Sequence, residues 1–310
     1  MKPLLANAQR AQTSSISRSS NSYSDEALES GNSEFKTIYK RYKKRNPPAS
    51  LSDVLYPRIG GDAFCNIPVS FEGHSSSSWI KQLGLRSVDQ WKCLSLENHE
   101  GLYILTDIIE EDRHLEWFKR CLYAYPEGSG KTNVHLHFPD AHEIFNNYRD
   151  RLRWTTLGIH YDWDTKLYAE KGDPLPVELV SFGSLISEVL GLGPFHPDAA
   201  IINFFPLKGT LGPHIDRSER DLKNPLISLS LGQSAVYLTG GTDLNSPVVP
   251  LYLQSGDVLI MHGDQRLVYH AVPSIRITKK FEPSNQISRE VLEYANNHRI
   301  SLTLRQVDSF

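Results

Sequence analysis

The second half of the chain is a succession of short apolar segments, and this pattern restricts the fold more than any other feature. Turns containing Gly, Ser and Asp separate the segments. Within 226–231, Ile227, Leu229 and Leu231 alternate with serines, which is the period of a strand with one buried face. Short strands at this spacing predict a β-sandwich or barrel. The predicted strands are 200–205, 226–231, 235–239, 248–253, 257–261 and 267–272.

Other segments have helical spacing. Leu115, Phe118 and Leu122 share one side of a predicted helix, as in a helix that packs through one face. Strands grouped together with separate helices indicate an α+β fold. The predicted helices are 109–123, 182–190 and 288–297, and two further strands are predicted at 101–106 and 298–307.

His214 and Asp216 form a His-x-Asp pair inside the β-rich region. In an extended strand, residues two apart point to the same side, so an imidazole nitrogen and a carboxylate oxygen can be directed at one point. His270 offers a third ligand. Two histidines and one carboxylate, with open positions opposite, suit a non-haem Fe(II) oxygenase. The alternative is a solvated histidine beside an aspartate, since the chain has 12 histidines.

The last predicted strand has two faces of different character. Arg299, Ser301, Thr303 and Arg305 share one face, and the apolar residues between them share the other. A buried guanidinium is costly unless it meets an anion, and arginine grips a carboxylate through two parallel hydrogen bonds. A dicarboxylate cosubstrate with one end on a metal would fit. The alternative is an edge strand with two solvated arginines.

The order His214-x-Asp216, His270, Arg299 and Arg305 resembles the AlkB family of Fe(II)- and 2-oxoglutarate-dependent dioxygenases, and most closely its homologue-one subgroup. The resemblance implies that the β-rich part is a double-stranded β-helix, or jelly roll, with supporting helices and an N-terminal extension. The matching segments run through most of the second half of the chain and are 156–165, 202–205, 210–241, 255–257 and 298–307.

The resemblance also implies the cofactors and the reaction. Fe(II) would be held by His214, Asp216 and His270. 2-Oxoglutarate would chelate the iron and pair its far carboxylate with Arg299, while Arg305 lies nearer the metal-bound end. With O2, formation of succinate and CO2 would drive hydroxylation of an N-methyl group, and the product would release formaldehyde and the free base. Because a duplex base must be flipped out, single-stranded or loop DNA or RNA is favoured.

Three positions depart from the family's pattern. Relatives have Asn-x-Tyr in contact with 2-oxoglutarate, whereas this chain has Asn203 and Phe205, so a phenol is missing. Relatives have Arg-x-Asn in the last strand, whereas here Arg299 is followed by Ser301. We expect Asn203, Phe205 and Ser301 to line the cosubstrate site, where both changes would weaken binding. Ser218 replaces the acid with which the bacterial member reads the base, so base preference does not carry over.

The segment 36–45 carries six basic residues in ten. Phe35, directly before the segment, and Ile38, Tyr39 and Tyr42 within it fall at helical spacing, and Pro47 stops the helix. The basic side chains could lie on phosphates. The alternative is a helix docked through its aromatic stripe with solvated lysines, and both can hold together. The predicted nucleic-acid patch consists of Lys36, Lys40, Arg41, Lys43, Lys44 and Arg45.

A second basic cluster, at 149–154, precedes two more aromatic residues. Aromatic and basic side chains together suit base stacking beside phosphates. The resemblance implies that this region forms part of a nucleotide-recognition lid over the iron. The alternative is a surface hairpin with core aromatics. The candidate substrate contacts are Trp154, Tyr161, Trp163, Ser218 and Arg266.

Composition limits the other possibilities. A net charge of −3 gives no global basic field, so any nucleic-acid surface is local. Three widely spaced cysteines argue against a disulfide framework, and no apolar run approaches the roughly 20 residues of a membrane span. Residues 1–34 are rich in Ser and Asn and are predicted to be a disordered tail. Residues 1–24 have basic residues and no acid, which also suits a mitochondrial transit peptide.

We therefore expect a tail at 1–34, an extension with a basic helix at 35–100 and a dioxygenase domain at 101–310, in a monomer of the cytoplasm and nucleus. A mitochondrial location is the alternative. The leading function is demethylation of methylated DNA or RNA. Because the homologue-one subgroup is also associated with cleavage at abasic sites, a nucleic-acid-binding abasic-site lyase with weak or vestigial dioxygenase activity is the second hypothesis. A protein substrate such as a histone is the third.

Overall fold

The computed structural model describes residues 33–70, 77–283 and 285–308, so nearly all of the predicted tail, including the candidate transit peptide, lies outside the described residues. The helices are α1 (Glu34–Lys43), α2 (Ser77–Leu83), α3 (His114–Lys119, continued by a π-helical turn at Arg120–Ala124), α4 (Ile144–Tyr148), α5 (Val177–Val189) and α6 (Arg289–Asn297). The strands are β1 (Phe64–Ile67), β2 (Lys92–Leu96), β3 (Leu102–Thr106), β4 (Lys131–Thr132), β5 (Trp154–Gly158), β6 (Tyr161–Asp162), β7 (Leu167–Tyr168), β8 (Ala199–Pro206), β9 (Leu211–His214), β10 (Leu226–Gly232), β11 (Ser234–Thr239), β12 (Val249–Leu253), β13 (Val258–Met261), β14 (His270–Arg276) and β15 (His298–Arg305).

Two antiparallel sheets face each other. The larger sheet has nine strands in the order β1-β2-β3-β13-β10-β15-β8-β5-β4, and the smaller has four in the order β12-β11-β14-β9. Strands β6 and β7 form a separate hairpin. The predicted α+β fold, with a double-stranded β-helix and supporting helices, is confirmed.

The sheets divide the hydrophobic core into layers. Leu259 of the larger sheet and Leu251 of the smaller sheet belong to one cluster between the sheets. Helices cover the outer face of the larger sheet, where Phe118 of α3 and Phe182 of α5 join the largest cluster. The space between the sheets is therefore closed on its outer sides by helices, and its polar residues are the candidates for function.

Strand β15 alternates as its sequence predicts. Ile300, Leu302 and Leu304 pack into the cluster beneath the helices. Ser301 points the other way, and its hydroxyl oxygen lies 3.0 Å from that of Ser228 on β10. The arginines of β15 share this second face, so they enter the space between the sheets.

Helix α1 docks on the outer face of the smaller sheet. The hydroxyl of Ser33 caps it by accepting a hydrogen bond from the backbone N–H of Lys36 at 3.3 Å. Phe35, Tyr39 and Tyr42 are buried in a cluster with residues of β11, β12 and β14. The interpretation as a helix docked through its aromatic stripe is confirmed, and lysines remain on the opposite face.

Residues 35–100, predicted as an N-terminal extension, also contribute strands to the fold. Strands β1 and β2 extend the larger sheet beyond β3. Leu55 pairs with Leu251 of the smaller sheet. None of the helices in the described ranges is long and apolar enough to cross a membrane.

Three predicted elements begin elsewhere. The helix predicted from residue 109 begins at His114, after a 3-10 turn at Glu111–Arg113. The strand predicted from residue 267 begins at His270, because Gly263–Leu267 forms a 3-10 turn in which Gly263 has a φ of 57°. The helix predicted from residue 182 begins directly after Pro176. Proline is tolerated at the start of a helix because the N–H groups of the first turn have no partner within the helix.

Candidate metal centre and cosubstrate site

The three predicted ligands lie together between the sheets. Strand β9 ends at His214 and β14 begins at His270, and these residues are direct partners in the antiparallel pairing. Their ring centroids are 4.2 Å apart. The carboxylate oxygens of Asp216 lie 3.8 Å from Nε2 of His214 and 3.6 Å from Nε2 of His270. Ligand atoms of all three lie within 4.8 Å of one another, and no other such group occurs in the described ranges.

A backbone carbonyl orients each histidine. Nδ1 of His214 lies 2.9 Å from the carbonyl oxygen of Gly212, and Nδ1 of His270 lies 3.3 Å from that of Val268. This geometry assigns the proton to Nδ1 and leaves the lone pair of Nε2 for a metal. Burial, assisted by His270, lowers the pKa of His214 to about 4, so this imidazole is neutral at neutral pH.

Asp216 is held as an anion. Nη2 of Arg305 donates to Oδ2 of Asp216 at 2.8 Å. Burial opposes ionisation, but the charge of Arg305 holds the pKa of the Asp216 carboxyl well below its usual range. Two imidazoles and one carboxylate are the donors of a facial Fe(II) site. The residues present therefore fit Fe(II), with Asp216 ionised and His214 neutral.

Glu219, a buried residue that the sequence reasoning did not single out, completes the charge arrangement. Its carboxylate accepts hydrogen bonds from Nη1 of Arg305, from Nη2 of Arg266 at 2.8 Å and from the hydroxyl of Tyr168 at 3.2 Å. Two arginines thus share the carboxylates of Asp216 and Glu219, and opposite charges balance in the interior. The signal in the sequence was an acid three residues after Asp216.

Arg266, a predicted substrate contact, lies in the interior. It is 1% exposed. Its guanidinium donates to the Glu219 carboxylate and to the carbonyl oxygen of Asn224. This placement does not support a direct contact between Arg266 and substrate, and it indicates a role in fixing Glu219.

Arg299 is buried with incomplete hydrogen bonding. It is 2% exposed, and its Nη2 donates to the hydroxyl of Ser230 at 2.9 Å. Its Nε and Nη1 are buried without a partner among the described residues. Burial lowers the pKa of Arg299 to about 10, although Asp257 and Tyr237 act in the opposite direction. The unpaired N–H groups on these two nitrogens of a buried guanidinium suit a carboxylate, so the residues present also fit 2-oxoglutarate.

The other predicted cosubstrate residues share this space. Asn203 pairs with Ser301 in the β8–β15 register, and Phe205 pairs with Arg299. The guanidinium carbon of Arg299 lies 5.4 Å from the centre of the Phe205 ring. Arg305 lies at the metal end through its contact with Asp216, as predicted. The structure brings these residues together, and their individual contacts with 2-oxoglutarate stay predictions.

Aromatic side chains gather beside the metal ligands. The ring centroids of Tyr161 and Trp163 are 4.9 Å apart, and those of Trp154 and Trp163 are 5.4 Å apart. The hydroxyl oxygen of Ser218 lies 3.5 Å from that of Tyr161. This contact joins the β6–β7 hairpin to the segment that follows Asp216, so four predicted substrate contacts form one group.

In the predicted nucleic-acid patch one residue is buried and both exposed arginines have partners within the protein. Lys36 is 1% exposed and drops out of the patch. Arg41 pairs with Asp53 at 2.7 Å, and Arg45 donates to two carbonyl oxygens in the loop between β8 and β9. The exposed lysines that remain are Lys40, Lys43 and Lys44.

Comparison with known proteins identifies relatives. Residues 101–305 match the 2OG-Fe(II) oxygenase superfamily. The tRNA demethylase abh1 of Schizosaccharomyces pombe is 44% identical over 273 residues, which cover 78% of this chain and 84% of that protein. The human nucleic acid dioxygenase ALKBH1 is 30% identical over 278 residues, covering 80% and 72% respectively. The Arabidopsis thaliana DNA N(6)-methyladenine demethylase ALKBH1A is 25% identical over 321 residues, covering 87% and 90%.

The superfamily match spans most of the chain and includes the segments that carry the three ligands and Arg299. The match agrees with the two imidazoles and one carboxylate of the metal site and with the partly unpaired guanidinium of Arg299. The chain therefore belongs to the AlkB-related branch of the 2OG-Fe(II) oxygenase superfamily, whose dioxygenases use Fe(II), 2-oxoglutarate and O2.

Proposed function

We propose that this protein oxidatively demethylates N-methylated bases in DNA or RNA, including tRNA. The observation that carries the proposal is the aromatic group of Trp154, Tyr161 and Trp163 beside the metal ligands. Aromatic rings stack on bases of any sequence, as a site for a flipped or unpaired base requires. The names of the relatives, a tRNA demethylase and a nucleic acid dioxygenase among them, support the same substrate class.

The residues would divide the work as follows. His214, Asp216 and His270 would hold the metal, and Arg299 would bind the far carboxylate of the cosubstrate. Arg305 would keep the carboxylate of Asp216 ionised and oriented, as it does here. When bound, Fe(II), 2-oxoglutarate and O2 supply the oxidation of an N-methyl group to N-hydroxymethyl, with succinate and CO2 as coproducts. The N-hydroxymethyl group then leaves the base as formaldehyde.

The aromatic side chains would position the base. Stacking between rings holds a base in one plane, and this limits which methyl group can approach the ligands. Ser218 cannot carry the negative charge of the acid found in the bacterial member, so shape and stacking would contribute more to recognition than charge. A base that is already unpaired avoids the cost of flipping, which favours single-stranded and loop substrates.

The exposed lysines of α1 would contact the phosphate backbone. Helix α1 packs against β9 and β14, the strands that carry His214 and His270. Lys40, Lys43 and Lys44 therefore flank the strands of the metal centre. Backbone contacts of this kind position a nucleic acid without reading its sequence.

The proposed reaction is tested with a methylated oligonucleotide, Fe(II), 2-oxoglutarate and O2. We expect succinate and formaldehyde in equal amounts, and neither above background with the unmethylated oligonucleotide. His214→Ala and Asp216→Ala should abolish turnover and leave the fold intact, because each removes one metal ligand. Full turnover by Asp216→Ala would disprove the metal assignment. Any cleavage at abasic sites should survive both substitutions, and its loss would connect that activity to the metal.

Arg299→Lys is the test of the cosubstrate anchor. Lysine keeps the charge but loses the planar fork, so the apparent affinity for 2-oxoglutarate should fall roughly tenfold to a hundredfold, the worth of a charged hydrogen bond. Iron affinity should not change, since Arg299 is not a ligand. Succinate formation against 2-oxoglutarate concentration measures the effect. If the half-saturating concentration stays constant, Arg299 is not the anchor and Arg305 becomes the candidate.

The lysines of α1 are tested by replacing Lys40, Lys43 and Lys44 with Gln. Binding should weaken by a similar factor for oligonucleotides of different sequence, and the dependence of affinity on salt should become shallower, because fewer counterions are released. Gln at the exposed Lys81 and Lys119, on α2 and α3, is the control. An unchanged salt slope in the α1 variant would show that this helix has only a structural role.

A further inference from the structure

Tyr237 lies on β11, on the face of the smaller sheet that meets the larger sheet. Its side chain is 5% exposed and belongs to the cluster between the sheets, together with Phe205 and Met261. Its ring stacks on that of His270, with centroids 5.9 Å apart and planes inclined by 25°. A phenol is therefore buried beside the metal centre, and no role assigned above uses it.

The hydroxyl of Tyr237 has a weak partner. Within the described part of the chain it donates to the sulfur of Met261 at 3.4 Å. A thioether sulfur is a weak acceptor, whereas a buried tyrosine hydroxyl usually finds a strong one. The O–H group is therefore free to change partner when a better acceptor enters the space between the sheets.

Tyr237 and Arg299 influence each other across this space. Burial and the charge of Asp216 raise the pKa of Tyr237, and Arg299 lowers it. Tyr237 in turn raises the pKa of Arg299, which burial lowers. The two residues come from opposite sheets, so the unpaired N–H groups of the guanidinium and the phenol adjoin the same region.

Phe205 lies on the same side as Arg299. Its ring approaches the guanidinium from the neighbouring strand β8 and shares a cluster with Tyr237. The resemblance to the AlkB family implies a tyrosine at this position in relatives, so by that comparison this chain lacks a hydroxyl on β8. It has one instead on β11, in the facing sheet.

We propose that Tyr237 donates a hydrogen bond to the far carboxylate of 2-oxoglutarate, which the proposed function on which this inference rests assigns to Arg299, and so replaces the hydroxyl that Phe205 lacks. The phenol exchanges the Met261 sulfur for a carboxylate oxygen. A neutral O–H donor strengthens the binding of an anion without adding a second charge to a buried site. Oxalate can chelate the same metal but has no far carboxylate, so its affinity would not depend on Tyr237.

The test is equilibrium binding of 2-oxoglutarate and of oxalate to the Co(II)-loaded protein, which requires neither nucleic acid nor turnover. Tyr237→Phe removes a single oxygen atom. We expect it to weaken 2-oxoglutarate binding roughly tenfold, the size of one charged hydrogen bond, and to leave the affinities for oxalate and Co(II) unchanged. Tyr125→Phe is the matched control, because it removes a buried hydroxyl that donates to Glu178 at 3.1 Å beneath the helices.

An unchanged affinity for 2-oxoglutarate in Tyr237→Phe would overturn the proposal. Equal losses for 2-oxoglutarate and oxalate would overturn it as well, because they would indicate disturbed packing against His270. The exchange variant Phe205→Tyr/Tyr237→Phe returns the hydroxyl to β8 and should recover most of the lost affinity. If the exchange variant folds and recovers no affinity for 2-oxoglutarate, Tyr237 does not replace the hydroxyl on β8. Whether Tyr237 contacts 2-oxoglutarate at all is decided by the single variant Tyr237→Phe.

Discussion

Strand β15 alternates between apolar and charged side chains, and the arrangement of the interior depends on this alternation. Its apolar residues pack beneath the helices, which directs both of its arginines into the space between the sheets. Buried guanidiniums require anions. Arg305 finds the carboxylates of Asp216 and Glu219, whereas two nitrogens of Arg299 find no partner in the described chain. At the Arg305 end of the space the guanidinium charge is thus balanced by carboxylates of the protein. At the Arg299 end an anionic ligand can bind.

The residues at the Arg305 end have the charges that a metal site requires before any metal binds. The carboxylate of Asp216 is ionised because Arg305 offsets the cost of burial, and His214 is neutral because burial disfavours its charge. Glu219 holds Arg305 and Arg266 together and also receives the hydroxyl of Tyr168 from the β6–β7 hairpin. The hairpin that carries aromatic side chains is therefore joined to the metal ligand through three hydrogen bonds. Outer residues of this kind commonly orient metal ligands.

The sequence predicts those parts of the site that depend on local periodicity. His214 and Asp216, two residues apart, and the alternation of Arg299 with its apolar neighbours are visible in single strands. Glu219 was not singled out because its partners are 47, 51 and 86 residues away, and a short segment does not show that its carboxylate is buried. Lysine is usually found at the surface, but Lys36 is buried.

Binding of 2-oxoglutarate to the Fe(II)-loaded protein under anaerobic conditions tests the central claim most directly, because the claim is that one metal and one cosubstrate share the space between the sheets. The measurement is the charge-transfer absorption of the iron–2-oxoglutarate chelate. We predict a band that saturates with 2-oxoglutarate in the native protein and is absent in a folded His270→Ala variant at the same concentrations. A band of equal amplitude in His270→Ala, or none in native protein with bound Fe(II), would contradict the account.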